Sequence, residues 1–135
     1  MISSAEEFKK LRESLVENEY HRAAHDEASE QVWFDVIKKY PEMKKWVAHN
    51  KSIPLSVLNV LAKDTDADVR VSVAIKRKLS RELFVLLSKD SDVSVLYTLA
   101  LNPKIPHDVF DTLAESGDEW LLAKLAEIEK TRKAT

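Results

Sequence analysis

The chain has 135 residues, a formal net charge of -2 and 44% apolar residues, which indicates a single globular domain long enough to bury a core. Its charged residues are dispersed, and no run approaches the roughly 18 apolar residues of a membrane-spanning helix. The absence of cysteine excludes disulfides, thiolate metal sites and cysteine nucleophiles, and the single glycine, Gly117, leaves no glycine-rich phosphate loop. The first twenty residues lack the apolar segment of a secretory signal, so we expect a cytoplasmic protein.

The N-terminal residues 1–28 are predicted to form two capping helices. Ser4 and Glu7 have the spacing of a capping box at the start of the first helix. The second helix is expected over residues 17–26. Within it, His21 and His25 stand one turn apart and could hold zinc, but no third ligand is evident, which favours a chance surface pair.

Residues 29–50 are predicted to form a degenerate first repeat, in which Pro41 opens the second helix. From Ala48 onward, the chain can be written in three ungapped rows of 26 residues whose columns agree in physical type. One such column holds Leu58, Phe84 and Phe110. The regular repeats are assigned to 51–76, 77–102 and 103–130, followed by a polar tail over 131–135.

Each row predicts two short helices. Pro54, Ser80 and Pro106 share the column where the first helix begins. The pairs Asp64/Asp66 and Asp90/Asp92 precede the second helix, which is expected to end near residues 76, 102 and 130 in successive rows. Because these carboxylates recur at the same turn, we interpret them as helix caps and not as catalytic acids or cation ligands.

The fold predicted from this pattern is all-α: a right-handed two-layer α-solenoid of about nine or ten short helices with a 26-residue period. The segment D-x-D-x-x-V-R-x-x-V-A at residues 64–74 resembles HEAT-like repeats and, still more, the leucine-rich repeat variant of bacterial proteins. The resemblance implies a non-enzymatic binding scaffold, such as an adaptor or an immunity-type inhibitor. One departure is that only Arg70 keeps the arginine column, which becomes lysine or leucine at Lys44, Leu96 and Leu122.

The second helix of the repeats carries an extra apolar stripe on the side away from the predicted core. We interpret it as a partner-binding patch for another protein, since exposed aliphatic and aromatic clusters are typical of interfaces. The alternative is packing against neighbouring helices, and the same stripe would also suit a homodimer in place of a monomer. The patch comprises Trp46, Val71, Ile75, Tyr97 and Leu101.

A row of basic residues in the connectors suggests an alternative to protein binding. In this alternative, the row forms an anion-binding edge that binds nucleic acid. Solvated loops at helix C-termini are the competing interpretation, favoured by the near-neutral net charge. This edge comprises Lys51, Lys76, Arg77, Lys78, Arg81 and Lys104. No residue pattern points to a cofactor, a metal site or catalysis, and an enzyme would have to depend on residues such as Trp46, His49 and Asp66.

Overall fold

The computed structural model describes residues 1–134, with side chains up to Arg132, and its regular elements are helical. Ten α-helices and two 3₁₀ helices lie in this range, which has no strand and a single isolated bridge between Ile2 and Ala28. The predicted all-α class is confirmed. The elements are α1 (Ala5–Glu13), α2 (Glu17–His25), α3 (Glu30–Lys39), η1 (Pro41–Met43), α4 (Lys44–His49), α5 (Leu55–Leu61), α6 (Ala67–Ala74), α7 (Arg81–Ser88), α8 (Val93–Leu101), α9 (His107–Thr112), η2 (Leu113–Ser116) and α10 (Glu119–Ala134).

The chain forms two compact units. The first, Met1–Lys63, contains α1 to α5, and the second begins at Asp64 and contains α6 to α10. In the first unit, α1 packs against α2 and α3, and α3 also contacts α4 and α5. The fully buried rings of Phe8 and Trp33 meet edge to face there, with centroids 5.3 Å apart. This geometry is favourable for an aromatic pair in a core.

In the second unit, α6 packs against α8 and α8 against α10, while α7 contacts α6, α8 and α9. The apolar residues at helical spacing point inward, as the sequence pattern predicts. Fully buried members of this core are Val73, Leu87, Leu99, Leu113 and Leu121. Helices α6 to α9 have only six to nine residues and are too short to persist alone in water, so packing supplies most of their stability.

Side-chain caps begin several helices where the sequence predicts them. Asp66 Oδ1 accepts from the Asp68 N–H at 2.9 Å, and Asp92 Oδ1 accepts from the Ser94 N–H at 2.8 Å, which confirms their capping role. Ser80 Oγ accepts from the Leu83 N–H at 3.2 Å. At α1, Ser4 Oγ caps the helix by accepting from the Glu7 N–H. The Glu7 carboxylate accepts from the Ser3 N–H and not from the Ser4 N–H, so the reciprocal bond of the capping box is shifted by one residue.

Two of the three expected helix ends differ from the structure, while α8 ends at Leu101, within one residue of the prediction. Helix α6 ends at Ala74 because the Lys76 N–H turns back to the Val73 carbonyl at 3.0 Å in a tighter bond. Helix α10 continues to Ala134 because neither glycine nor proline follows Glu119. Residues 131–134 of the predicted tail are therefore helical, and Thr135 lies outside the described residues.

Two buried asparagines repeat one hydrogen-bonding arrangement. Asn50 Nδ2 donates to the carbonyls of Ala23 and Asp26 at 2.9 and 3.0 Å. Asn102 Nδ2 donates to those of Ala74 and Lys76 at 2.9 and 2.7 Å. Each side chain therefore reaches back by 24 to 28 residues and provides donors for carbonyls at the end of an earlier helix.

Candidate functional site

The predicted apolar stripe is exposed on helices α6 and α8. Ile75 is 57% and Leu101 53% exposed, and Val71 and Tyr97 are half-buried. Because these side chains are not buried in the core, they remain accessible to a partner. Because α6 and α8 pack side by side, their four side chains belong to one surface.

Helices α6 and α8 run parallel, since contacts join their like ends. Near the N-termini, Arg70 of α6 donates to Asp90, which lies just before α8. At the C-termini, Asn102 donates to Ala74 and Lys76. Ile75, which follows α6 directly, and Leu101, the last residue of α8, are therefore both exposed at these C-terminal ends.

Trp120 adds to this surface and was not predicted. It is 49% exposed in the first turn of α10, and its ring meets Tyr97 edge to face with centroids 5.0 Å apart. Lys124 Nζ lies 5.7 Å from the same ring centroid. The sequence gives little indication that Trp120 belongs to this surface. Its column lies one helical turn before that of Tyr97 and holds the polar residues Asp68 and Ser94 in the earlier rows. We call Val71, Ile75, Tyr97, Leu101 and Trp120 the α6/α8/α10 surface.

Trp46, the remaining member of the predicted patch, belongs to the first unit. The guanidinium carbon of Arg12 lies 3.5 Å from the centroid of its ring, and His49 packs against it edge to face at 6.0 Å. The indole is 40% exposed. Arg12 therefore covers one face of Trp46 by a cation–π contact, and this residue is not counted in the α6/α8/α10 surface.

The predicted basic edge is divided between the units as well. Lys51 is exposed in the first unit, and the other five members lie in the second. Arg81 donates to both carboxylate oxygens of Asp108, so its charge is compensated. These bonds hold the pKa of Asp108 below its usual range and raise that of Arg81. The remaining group, which we call the basic end, consists of Lys76, Arg77, Lys78 and Lys104.

The basic end adjoins the α6/α8/α10 surface. Lys76, Arg77 and Lys78 follow Ile75 directly, and Lys104 follows Leu101 by three residues. Cations at helix C-termini are stabilised by the helix dipole, which explains their position without a ligand. Because these cations lie next to the exposed side chains of Ile75 and Leu101, this end of the surface is both apolar and positively charged.

The histidine pair and the two leucines of the arginine column lie on three different helices, α2, α8 and α10. His21 and His25 are exposed and stack face to face with ring centroids 4.1 Å apart, an arrangement that does not converge on an ion. Within residues 1–134, no group of three or more histidine, cysteine or carboxylate side chains is placed to hold a metal. Leu96 is buried and fills the core, whereas Leu122 is partly exposed.

Comparison with known proteins gives no assignment: no protein-family model, curated protein or solved structure matches the chain significantly. None of the described helices is both long and apolar enough to cross a membrane.

Proposed function

We propose that this chain is a non-enzymatic helical-repeat module that binds another protein through its α6/α8/α10 surface. The observation that carries this proposal is the exposure of Ile75, Leu101 and Trp120 on three helices that pack in series. Large apolar side chains grouped on a surface are the usual anchors of protein interfaces.

The arrangement we propose for the helices is a right-handed two-layer α-solenoid similar to HEAT-like and leucine-rich repeat variant proteins. Its support is the agreement between a sequence period of 26 residues and the reach of the Asn50 and Asn102 hydrogen bonds. The contacts of α6 with α8 and of α8 with α10 have the same spacing along the chain. Such arrays present one layer of helices as a continuous binding surface.

The partner we propose is a protein segment that combines apolar anchors with acidic residues. The apolar anchors would cover Ile75, Tyr97 and Leu101, and the acidic residues would face the basic end beside them. Complementary charge at the border of an apolar contact accelerates association and selects the partner. By covering such a segment, the module would act as an adaptor or as an inhibitor that masks its partner.

The experiment that tests this function is affinity capture with three tagged proteins. They are the wild type, an Ile75→Asp/Tyr97→Asp variant, and a control variant, Leu55→Asp/Val60→Asp, that alters exposed apolar residues of α5. Circular dichroism and thermal melting establish that all three are folded. We expect a protein that is retained by the wild type and the control and lost by the surface variant. Once purified, this protein should bind the wild type more weakly as the salt concentration increases.

Two outcomes would contradict the proposal. Equal retention of every captured protein by the surface variant would mean that binding does not use Ile75 and Tyr97. Capture of nucleic acid alone, reduced by an Arg77→Glu/Lys78→Glu variant but not by the surface variant, would assign the function to the basic end instead.

A further inference from the structure

A cleft of about 340 Å³ lies beside α7 and α9 and shares no residue with the α6/α8/α10 surface. Its apolar lining includes Leu96 and Val109, which are almost completely buried. Its polar lining includes Asp90, Glu115 and Ser116, together with the ion pair of Arg81 and Asp108.

The position of this cleft corresponds to a site that Arg70 fills elsewhere in the same unit. Arg70 and Leu96 are each the fourth residue of their helix, four positions after the capping residues Asp66 and Asp92. The Arg70 guanidinium donates to the carbonyls of Asp64 and Thr65 at 2.8 and 3.2 Å. It also donates to the Asp90 carboxylate, with Nε 2.8 Å from Oδ2.

Ser116 occupies the repeat position that corresponds to Asp90, the residue that pairs with Arg70. Asp90 Oδ1 accepts from the N–H of the capping residue Asp92 at 2.9 Å, and Ser116 Oγ accepts from the N–H of Asp118 at 3.4 Å. Asp118 in turn caps α10 by accepting from Leu121 at 2.8 Å. The two sites therefore share the hydrogen bond from the N–H of the capping residue. They differ in the backbone at the residue between, where Gly117 has a positive φ and Ser91 does not, and in the side chains that fill them.

Leucine at position 96 has no guanidinium to occupy the second site, and this explains the open volume. The cleft is lined by three carboxylates and by two cations, Arg81 and Lys89. Arg81 compensates Asp108 and Arg70 compensates Asp90, whereas the exposed Glu115 carboxylate adjoins Ser116 without a bond to either arginine. The cleft thus combines an acceptor-rich wall with an apolar wall suited to the methylene groups of a long side chain.

We infer that the cleft between α7 and α9 binds the guanidinium group of an arginine side chain from another protein. That arginine supplies from outside the group that Arg70 supplies within the chain. Glu115 and Ser116 accept its hydrogen bonds, and Leu96 and Val109 contact its methylene groups. Guanidinium is preferred to ammonium because its several N–H donors can reach the acceptors of Glu115 and Ser116 at the same time.

The test is a titration of the isotope-labelled full chain with Nα-acetyl-L-arginine amide, followed by amide chemical shifts. The control ligand is Nα-acetyl-L-citrulline amide, which has nearly the same shape and no charge. We expect saturable shifts at Leu96, Val109 and Ser116 with the arginine ligand only, and a dissociation constant on the order of millimolar for a single side chain.

Two variants assign the binding to the cleft. Glu115→Gln removes the carboxylate charge from an exposed residue and is expected to weaken the arginine ligand about tenfold, whereas Asp111→Asn, an exposed change on α9, leaves it unchanged. Leu96→Arg/Ser116→Asp is expected to fill the cleft with an internal pair and abolish binding. The inference is wrong if no saturable shifts occur, if the citrulline ligand binds equally well, or if Glu115→Gln has no effect.

Discussion

Arg70 occupies a position that leucine fills one repeat later, and the surroundings of the two residues differ accordingly. The side chains of Arg70 and Asp90 are only 16% and 9% exposed, and they form two hydrogen bonds with each other. These bonds raise the pKa of Arg70 above its usual range. A charge pair with so little access to water depends on both partners, since either alone would be poorly solvated.

Replacing Arg70 alone is therefore expected to cost more than replacing the pair. Arg70→Leu should lower the free energy of unfolding by about 2–4 kcal/mol, because Asp90 is left without its cation. Arg70→Leu/Asp90→Ser copies the combination of Leu96 and Ser116 and should recover at least about 1 kcal/mol of this loss. Urea unfolding of the wild type, both single variants and the double variant measures the coupling. Additive losses would contradict it.

Asp26 provides a second residue whose charge is stabilised by a neighbour. The hydrogen bond from Arg22 Nε, at 2.8 Å, lowers the pKa of the Asp26 carboxyl below its ordinary value of 3.8. A carboxylate with a lowered folded-state pKa contributes stability above its unfolded-state pKa, and this contribution is lost as the pH falls through the folded-state value.

We therefore expect Asp26→Asn to flatten the acid limb of the stability curve. As the pH falls below about 4, the wild type should lose more unfolding free energy than the variant, because only the wild type takes up a proton at this position on unfolding. Arg22→Gln, which removes the charged guanidinium, should flatten the same limb. Urea midpoints measured across this pH range test the prediction, and parallel curves for all three proteins would refute it.

At the scale of the helical elements, Asn102 joins two helix ends. It is 3% exposed, and it donates to the carbonyls of Ala74 and Lys76 while its Oδ1 accepts from the Lys104 N–H at 2.9 Å. One side chain therefore provides hydrogen bonds for backbone groups at the ends of both α6 and α8.

Asn102→Ala is expected to destabilise the chain by about 1–3 kcal/mol, since buried carbonyls lose their donors. The loss corresponds to a fall of roughly 3–5 °C in melting temperature per kcal/mol for a chain of this size. Asn59→Ala, an exposed asparagine of α5, serves as the control and should have little effect. Similar melting temperatures for the two variants would show that the Asn102 bonds contribute nothing.

The starts of helices were largely predictable from the sequence, whereas their packing partners were not. Ser80 and Asp92 signal caps locally, because a cap needs only a few adjacent residues. The asparagine column is difficult to predict from the sequence because position 76, between Asn50 and Asn102, is lysine, and because the bonds span more than twenty residues. The end of α6 depends on a local turn that apolar periodicity does not encode.

The candidate site shows the same division. The helical spacing of Val71 with Ile75 and of Tyr97 with Leu101 places each pair on one helix face. In the structure Ile75 and Leu101 are exposed, and Val71 and Tyr97 are half-buried. The contribution of Trp120 depends on the packing of α10 against α8, which no local pattern reveals. The pairing of Arg81 with Asp108, which are 27 residues apart, is likewise a tertiary contact.

At the scale of the whole chain, the proposed function depends on an exposed surface of the second unit. Leu101 is central to that assignment, since it is 53% exposed and lies between Tyr97 and the basic end. Val60 of α5 is 47% exposed and offers a control position of similar accessibility in the first unit.

The most direct test of the proposed function is photocrosslinking with a benzophenone amino acid placed at position 101, with position 60 as the control. We expect a protein adduct that forms at position 101 and not at position 60, and whose crosslinked peptide carries apolar residues flanked by aspartate or glutamate. Adducts of equal yield at both positions, an adduct with nucleic acid only, or no adduct at position 101 would contradict it.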